Sequence, residues 1–189
     1  GRIDEAKKIL STISLNDPFA LTAANILGQL AFAVGDFSSA SSHFERSLDI
    51  DPRNLESLNN LAAAKLSLGD PSAAVRYLEQ SLDINSTFFE AINNLGIANN
   101  SLGDFPAAIK SYAQVLGKTP NVWNNLYFPL RTQLLAGETS LADIEDLLKD
   151  VKSEQPLSYF TLMHRLKKGL REGAQSHVDL VEHVRESKD

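Results

Sequence analysis

The chain contains pairs of helical segments, each pair joined by a tight turn. One pair occupies residues 55–84, where apolar residues recur at helical spacing up to Leu68 and again after Pro71. Leu-Gly-Asp lies between the two segments. Glycine is the usual residue just past a helix C-terminus, and aspartate is a good N-cap. The pattern therefore predicts helix, short turn, helix. Its apolar positions are Leu55, Leu58, Leu61, Ala62 and Leu68, then Ala74, Val75, Leu78 and Leu82.

The same pattern recurs with a period of 34 residues. A glycine marks each period, and an alanine follows five positions after every one of these glycines. A fixed period of this length indicates an array of repeats. Neither helix of a pair can bury its apolar face alone, so neighbouring pairs must stack. The marker residues are Gly1, Gly35, Gly69, Gly103 and Gly137, with Ala6, Ala40, Ala74, Ala108 and Ala142.

The repeats resemble the tetratricopeptide repeat (TPR) family. The resemblance rests on small and apolar residues at the family's marked positions in three full repeats, 21–54, 55–88 and 89–122. It weakens at one aromatic position, which holds Ala31, Lys65 and Asn99. The resemblance implies an all-α fold, a right-handed superhelical solenoid of antiparallel helix pairs. The matching residues are Ala24, Leu27, Gly28, Ala40, Phe44 and Pro52; Leu58, Leu61, Ala62, Ala74 and Leu78; and Ile92, Leu95, Gly96, Ala108, Tyr112 and Pro120.

Both ends of the array are less regular, although we expect all of it to form one solenoid domain. Residues 1–20 match only the second helix of a repeat, so we expect more chain before them or a partner over the face of Ile3, Ala6, Leu10 and Ile13. Residues 123–156 form a degenerate fourth repeat, in which Pro129 is expected to kink or break the first helix. Residues 157–189 predict a further helix pair or a cap.

Composition narrows the classes of function. The 189 residues carry a net charge of −6 and no cysteine, which argues against general nucleic-acid binding and excludes thiolate metal sites. No run of about 18 apolar residues could span a membrane. Phosphate-binding, nucleophile-elbow and zinc-protease motifs are absent, so we predict no catalytic residue, metal or cofactor. The style of the repeats favours a bacterial origin, with the choice between cytoplasm and periplasm open.

A binding groove is predicted on the first helix of each repeat. Its second, fifth, ninth, twelfth and thirteenth positions cluster on one helix face, and the fifth is asparagine in three successive repeats. An amide both donates and accepts hydrogen bonds, so a row of amides could hold the backbone of an extended peptide or a helix. The predicted partner-binding residues are Asn25, Gln29, Phe32, Glu56, Asn59, Asn60, Leu66, Glu90, Asn93, Asn94, Asn100, Tyr127 and Arg131, with Leu134 as a further apolar contact.

Two features of this groove leave alternatives open. Asn60 and Asn94 lie at its edge, where they could equally make local hydrogen bonds between repeats. The resemblance also suggests a carboxylate clamp, the site with which some TPR proteins bind chaperone C-termini. Such a clamp needs lysine and arginine side chains, and the first three repeats place neither on this face, so the sequence argues against it. Glu56 and Glu90 make it acidic instead, which favours a neutral or partly basic ligand.

The sequence thus predicts a scaffold that binds a protein or peptide, with self-association through the leading half-repeat as an additional expectation. Alternatives are a substrate-recruiting segment of a larger glycosyl-, sulfo- or methyltransferase and an oligomeric assembly unit. The basic stretch 164–172 either meets an acidic or phosphate-bearing partner or is a solvated helix end. Aromatic residues at the repeat junctions, including Phe19, are expected in the core.

Overall fold

The computed structural model of the chain describes residues 2–14, 16–115, 122–137, 139–149, 152 and 160–172, and its regular structure within these ranges is helical. The predicted all-α fold is therefore confirmed. Two compact units are present, Gly1–Ala108 and Ile109–Asp189. The helices are α1 (Arg2–Ser11), α2 (Ala20–Ala33), α3 (Phe37–Ile50), α4 (Leu55–Ser67), α5 (Pro71–Ile84), α6 (Phe89–Leu102), α7 (Phe105–Gln114), α8 (Val122–Ala136), α9 (Leu141–Leu147) and α10 (160–172).

The first unit is a stack of helix pairs. From α1 to α6, each helix packs against the next one along the chain. In addition, α4 contacts both α2 and α6, so the first helices of the three repeats lie side by side and form one wall. The positions predicted to form a groove belong to these helices.

Each repeat turn has the same hydrogen-bonded geometry. Gly35, Gly69 and Gly103 adopt φ values of +80°, +79° and +79°, in the left-handed region that favours glycine. The glycine N–H and the following aspartate N–H donate to carbonyls of the last helical turn, as in a Schellman motif. The aspartate side chain then caps the next helix; Asp70, for example, accepts from the N–H of Ala73 at 2.9 Å. Thus, once in each period of 34 residues, a glycine ends one helix and an aspartate begins the next.

Small residues let the helices of the first unit approach closely. A Cβ atom added at Gly28 would lie 2.5 Å from Cε1 of Phe44, so the Phe44 ring packs directly on the backbone of α2. In the second repeat, Ala62 and Leu78 occupy the corresponding positions and belong to one core cluster. Lys65, at the family's aromatic position, forms an ion pair with Glu45 of the preceding repeat at 2.8 Å.

Two expectations about apolar residues near the start of the chain have different outcomes. Phe19 is 68% exposed, so its predicted place in the core is wrong. It lies in the turn before α2, where its N–H donates to Asp17 at 2.8 Å and its ring projects away from the helices. Leu10 and Ile13 are half-buried, whereas the side chains of Ile3 and Ala6 lie outside the described residues.

The second unit contains the less regular repeats. Helix α8 continues through Pro129, so the break expected there does not occur. A proline removes only one intrahelical hydrogen bond, and α8 has apolar residues on both sides of it, Leu126 and Leu130, fully buried. Ser140 and Asp143 form a capping box at α9, and the hydrogen bonds from Ser140 lower the pKa of Asp143. The predicted last helix, after residue 173, lies outside the described residues.

Candidate functional site

An open cleft lies on the wall of first helices, between α2 and α4. Its volume is about 160 Å³, and its lining is mainly apolar. Four of its residues occupy the groove positions predicted from the sequence, and Asn60 lies at the predicted edge. Phe44, from α3, closes the cleft from below. The lining residues are Gln29, Phe32, Ala33, Phe44, Asn60 and Ala63.

Phe44 is the cleft residue that sequence reasoning missed as part of the site. The sequence marks it only as a residue that matches the family pattern, and its side chain is 1% exposed. Because residue 28 is glycine, the Phe44 ring packs against the backbone of α2, and it lines the cleft as well as the core. The sequence signal for this contact is a glycine inside one helix that lies opposite an aromatic residue of the next helix.

Polar side chains form the rim of this cleft. Nε2 of Gln29 donates to Oε1 of Glu56 at 2.8 Å, which connects α2 to α4 across the exposed surface. Glu56 and Glu90 are both exposed. The rim therefore offers amide and carboxylate groups above an apolar floor.

The three asparagines expected to form a row have different environments. Asn25 is only 8% exposed and is part of the core, so its predicted place on the groove surface is wrong. Its Oδ1 lies 2.8 Å from Oγ of Ser57, which is itself 2.7 Å from Oγ of Ser47 and 2.7 Å from Oδ1 of Asn54. Buried polar groups need such partners, and Ser57 of the next repeat supplies one to Asn25.

The Asn25 network leads to a prediction about stability. Replacing Asn25 by alanine is expected to lower the free energy of unfolding by about 1 to 3 kcal/mol, because Ser57 loses a buried partner. Urea unfolding followed by circular dichroism measures the effect. The matched control is Asn16→Ala, since Asn16 is exposed. Equal, small changes in both variants would show that the buried network contributes nothing to stability.

The remaining predicted amides lie on or near the groove wall. Asn59 and Asn93 are half-buried, and Oδ1 of Asn59 accepts from Nδ2 of Asn94 at 2.9 Å. Asn94 therefore makes the hydrogen bond between repeats that was the alternative interpretation for it. Asn100 is half-buried, with an enclosed Oδ1 that has no hydrogen-bond donor within the described part of the chain.

Four other predicted residues are not part of the lining of this cleft. Leu66 is half-buried and packs on the core cluster around Leu78, which limits its contact with a ligand. Tyr127 and Arg131 belong to α8 in the second unit, where both pack against Gly169 of α10. Leu134, on the same helix, is half-buried.

The described residues show neither a metal site nor a membrane span. Within them, no group of three or more histidine, aspartate or glutamate side chains is placed to hold a metal ion. None of the helices described is long and apolar enough to cross a membrane.

The stacked helix pairs, the glycine turns and the groove wall define a helical-repeat protein. Two sequence profiles described as tetratricopeptide repeat match residues 1–55 and 31–95, which together span half of the chain. The chain belongs to the tetratricopeptide repeat family. No curated protein sequence matches it significantly.

Solved structures share this fold at low sequence identity. The crystal structure of MamA is 18% identical, with a TM-score of 0.62, and the match covers 93% of this chain and 90% of MamA. The first TPR domain of human RPAP3 is 23% identical, with a TM-score of 0.58, covering 65% of this chain and 97% of that domain. The first TPR of Spaghetti, bound to the HSP90 peptide SRMEEVD, is 24% identical, with a TM-score of 0.56 and coverages of 61% and 95%.

Proposed function

We propose that this protein is an interaction scaffold whose groove on α2, α4 and α6 binds a segment of a partner protein. The observation that carries the proposal is the open cleft between α2 and α4, which has an apolar floor beneath a rim of amides and one carboxylate. Sites with apolar walls and a few placed polar groups are typical of ligand recognition. The first TPR of Spaghetti, which has a similar fold, binds a peptide.

The cleft favours one apolar side chain of the partner as an anchor. Ala33 and Ala63 leave room above the Phe44 ring, so an aliphatic or aromatic side chain can replace water there. Gln29 and Asn60 stand beside that position and can pair with the amide groups of the partner's backbone. An extended segment or a helix can present such an anchor.

Charge favours a neutral or basic partner segment in this groove. Glu56 and Glu90 are exposed on the first turns of α4 and α6. The peptide held by Spaghetti, SRMEEVD, carries three acidic side chains, and such a sequence would be repelled by these carboxylates. We therefore expect a ligand of different charge in this protein, and binding that weakens moderately with salt.

Peptide selection tests this function while the partner is unidentified. Peptides would be selected on the intact chain from a random phage-displayed library, and their dissociation constants measured against variants. Ala63→Leu fills the cleft and is expected to raise the dissociation constants of selected peptides at least about 10-fold. Gln29→Ala is expected to raise them about 5-fold, because a hydrogen bond at the rim is lost.

The matched control for the rim is Gln80→Ala, the same change at an exposed position of α5 outside the cleft. It should leave the dissociation constants unchanged, and circular dichroism should show equal helicity in all variants. Peptides that bind Ala63→Leu and Gln29→Ala as tightly as they bind the parent chain would rule out the groove as the binding site. Selection of strongly acidic peptides by the cleft would contradict its expected charge preference.

A further inference from the structure

A second cleft lies in the other unit, between α8 and α10. Its volume is about 320 Å³, which is at the lower end of the range for ligand sites. Tyr127 of α8 lies on one side, and the residues of α10 form the other. The α10 residues in its lining are His164, Arg165, Lys168, Gly169 and Glu172. None of them lines the α2–α4 cleft described above.

This second cleft concentrates positive charge in an acidic protein. Arg165 and Lys168 line it, and Arg131 packs beside them on Gly169, whereas Glu172 is the one acidic residue among the described residues of its lining. The whole chain carries a net charge of −6. Lys168 and Glu172 are 3.7 Å apart, but both are largely exposed, so their attraction is weak and Lys168 can turn to another anion.

Packing holds the cationic groups in position. The guanidinium carbon of Arg165 lies 5.5 Å from the centre of the Tyr127 ring, a cation–π arrangement. Gly169 is buried, and Tyr127 and Arg131 lie so close to it that any side chain at residue 169 would collide with them. Glycine therefore permits the contact of α8 with α10 that forms the cleft. Lys167 points elsewhere, toward Glu145 at 3.8 Å.

We propose that the cleft between α8 and α10 binds the acidic side chains of a partner protein, independently of the α2–α4 groove. Arginine offers a planar fork of N–H groups that matches a carboxylate, and lysine adds a point charge that tolerates varied geometry. The ligand is a segment rich in glutamate or aspartate, bound by its side chains rather than by a chain terminus. The protein then has two sites of opposite charge preference.

Carboxylates fit this cleft better than other anions. Nucleic acids and anionic membranes need extended basic surfaces, whereas these cations line a small concave site in a chain of net charge −6. Glu172 on the rim repels a doubly charged phosphate more strongly than a single carboxylate. Protein carboxylates are singly charged, so Glu172 repels each of them less than it repels a phosphate. They are also spaced along a chain, so a single carboxylate can enter the small site.

Fluorescence anisotropy with the intact chain tests the proposal. The probe is a fluorescein-labelled decapeptide of alternating glutamate and serine, amidated at its C-terminus, and the comparison peptide has glutamine in place of glutamate. Arg165→Gln and Lys168→Gln are each expected to raise the dissociation constant of the glutamate peptide about 5-fold, and the double variant is expected to raise it further. Arg53→Gln and Lys110→Gln remove the same charges at exposed positions outside the cleft, and should change binding less than about 2-fold.

The proposal is supported if the glutamate peptide binds, the glutamine peptide does not, and only the cleft variants weaken binding. Equal loss in the control variants would overturn it, since that result means general charge attraction. Failure of the glutamate peptide to bind at millimolar concentration would also overturn it. Tighter binding of a phosphoserine peptide, a DNA oligonucleotide or phosphatidylserine vesicles would overturn the assignment to carboxylates. Because Ala63→Leu leaves this cleft intact, it should bind the glutamate peptide normally even if the groove proposal fails.

Discussion

Replacing Phe44 by alanine is expected to lower the free energy of unfolding by about 4 kcal/mol, the largest effect of any substitution discussed for this protein. Phe44 is 1% exposed and forms the centre of a core cluster with Ala31, Ala40, Leu61 and Ala64. Its removal leaves a cavity that these mostly small residues cannot fill. Since the ring also floors the α2–α4 cleft, the same change should abolish binding there.

Phe19→Ala is the matched control for this prediction. It makes the same chemical change at a side chain that is 68% exposed, so the expected loss is below about 0.5 kcal/mol. Urea unfolding followed by circular dichroism compares the two variants. Similar shifts of the midpoint in both would contradict the packing described for Phe44.

Replacing Gly28 by alanine is expected to destabilise the protein by about 1 to 3 kcal/mol, although alanine is the better helix former by about 1 kcal/mol. The added Cβ would lie 2.5 Å from Cε1 of Phe44, and moving the ring away would disturb the core cluster to which it belongs. Crowding therefore outweighs helix propensity. Urea unfolding measures the change, and a stabilised variant would show that the ring moves away at little cost.

The second repeat indicates how to relieve this crowding. It has Ala62 and Leu78 at the positions of Gly28 and Phe44, and both are fully buried in one cluster. The double substitution Gly28→Ala, Phe44→Leu copies that pair into the first repeat. We expect its destabilisation to be smaller than the sum of the two single effects by about 1 to 2 kcal/mol. Additive effects would mean that residues 28 and 44 do not share one packing constraint.

The regular part of the fold could be predicted because each repeat carries its own local signals. The glycine fixes the left-handed turn, the following aspartate caps the next helix, and apolar spacing sets the buried face. These are effects of neighbouring residues in the chain, which a sequence displays directly. The break expected at Pro129 does not occur, because tertiary packing of Leu126 and Leu130 maintains α8 despite the lost hydrogen bond.

The candidate site could be predicted only in part. Helix periodicity placed Gln29, Phe32 and Ala63 on one predicted face, and all three line the same cleft. It could not show that Asn25 turns into the core, because the reason is Ser57 in the next repeat, 32 positions away. Nor could it show that Phe44 reaches the cleft from α3. Contacts between repeats decide which residues of a predicted face are exposed.

The central claim is that the wall of first helices binds a segment of a partner protein, and amide NMR tests it most directly. Backbone amide spectra of the intact chain would be recorded while a peptide selected on it is added. The proposal predicts that the largest shifts fall on α2 and α4 around Gln29, Phe32 and Asn60, and that Ala63→Leu abolishes them. Shifts confined to α3 and α5, with the amides of α2 and α4 unaffected, would contradict it.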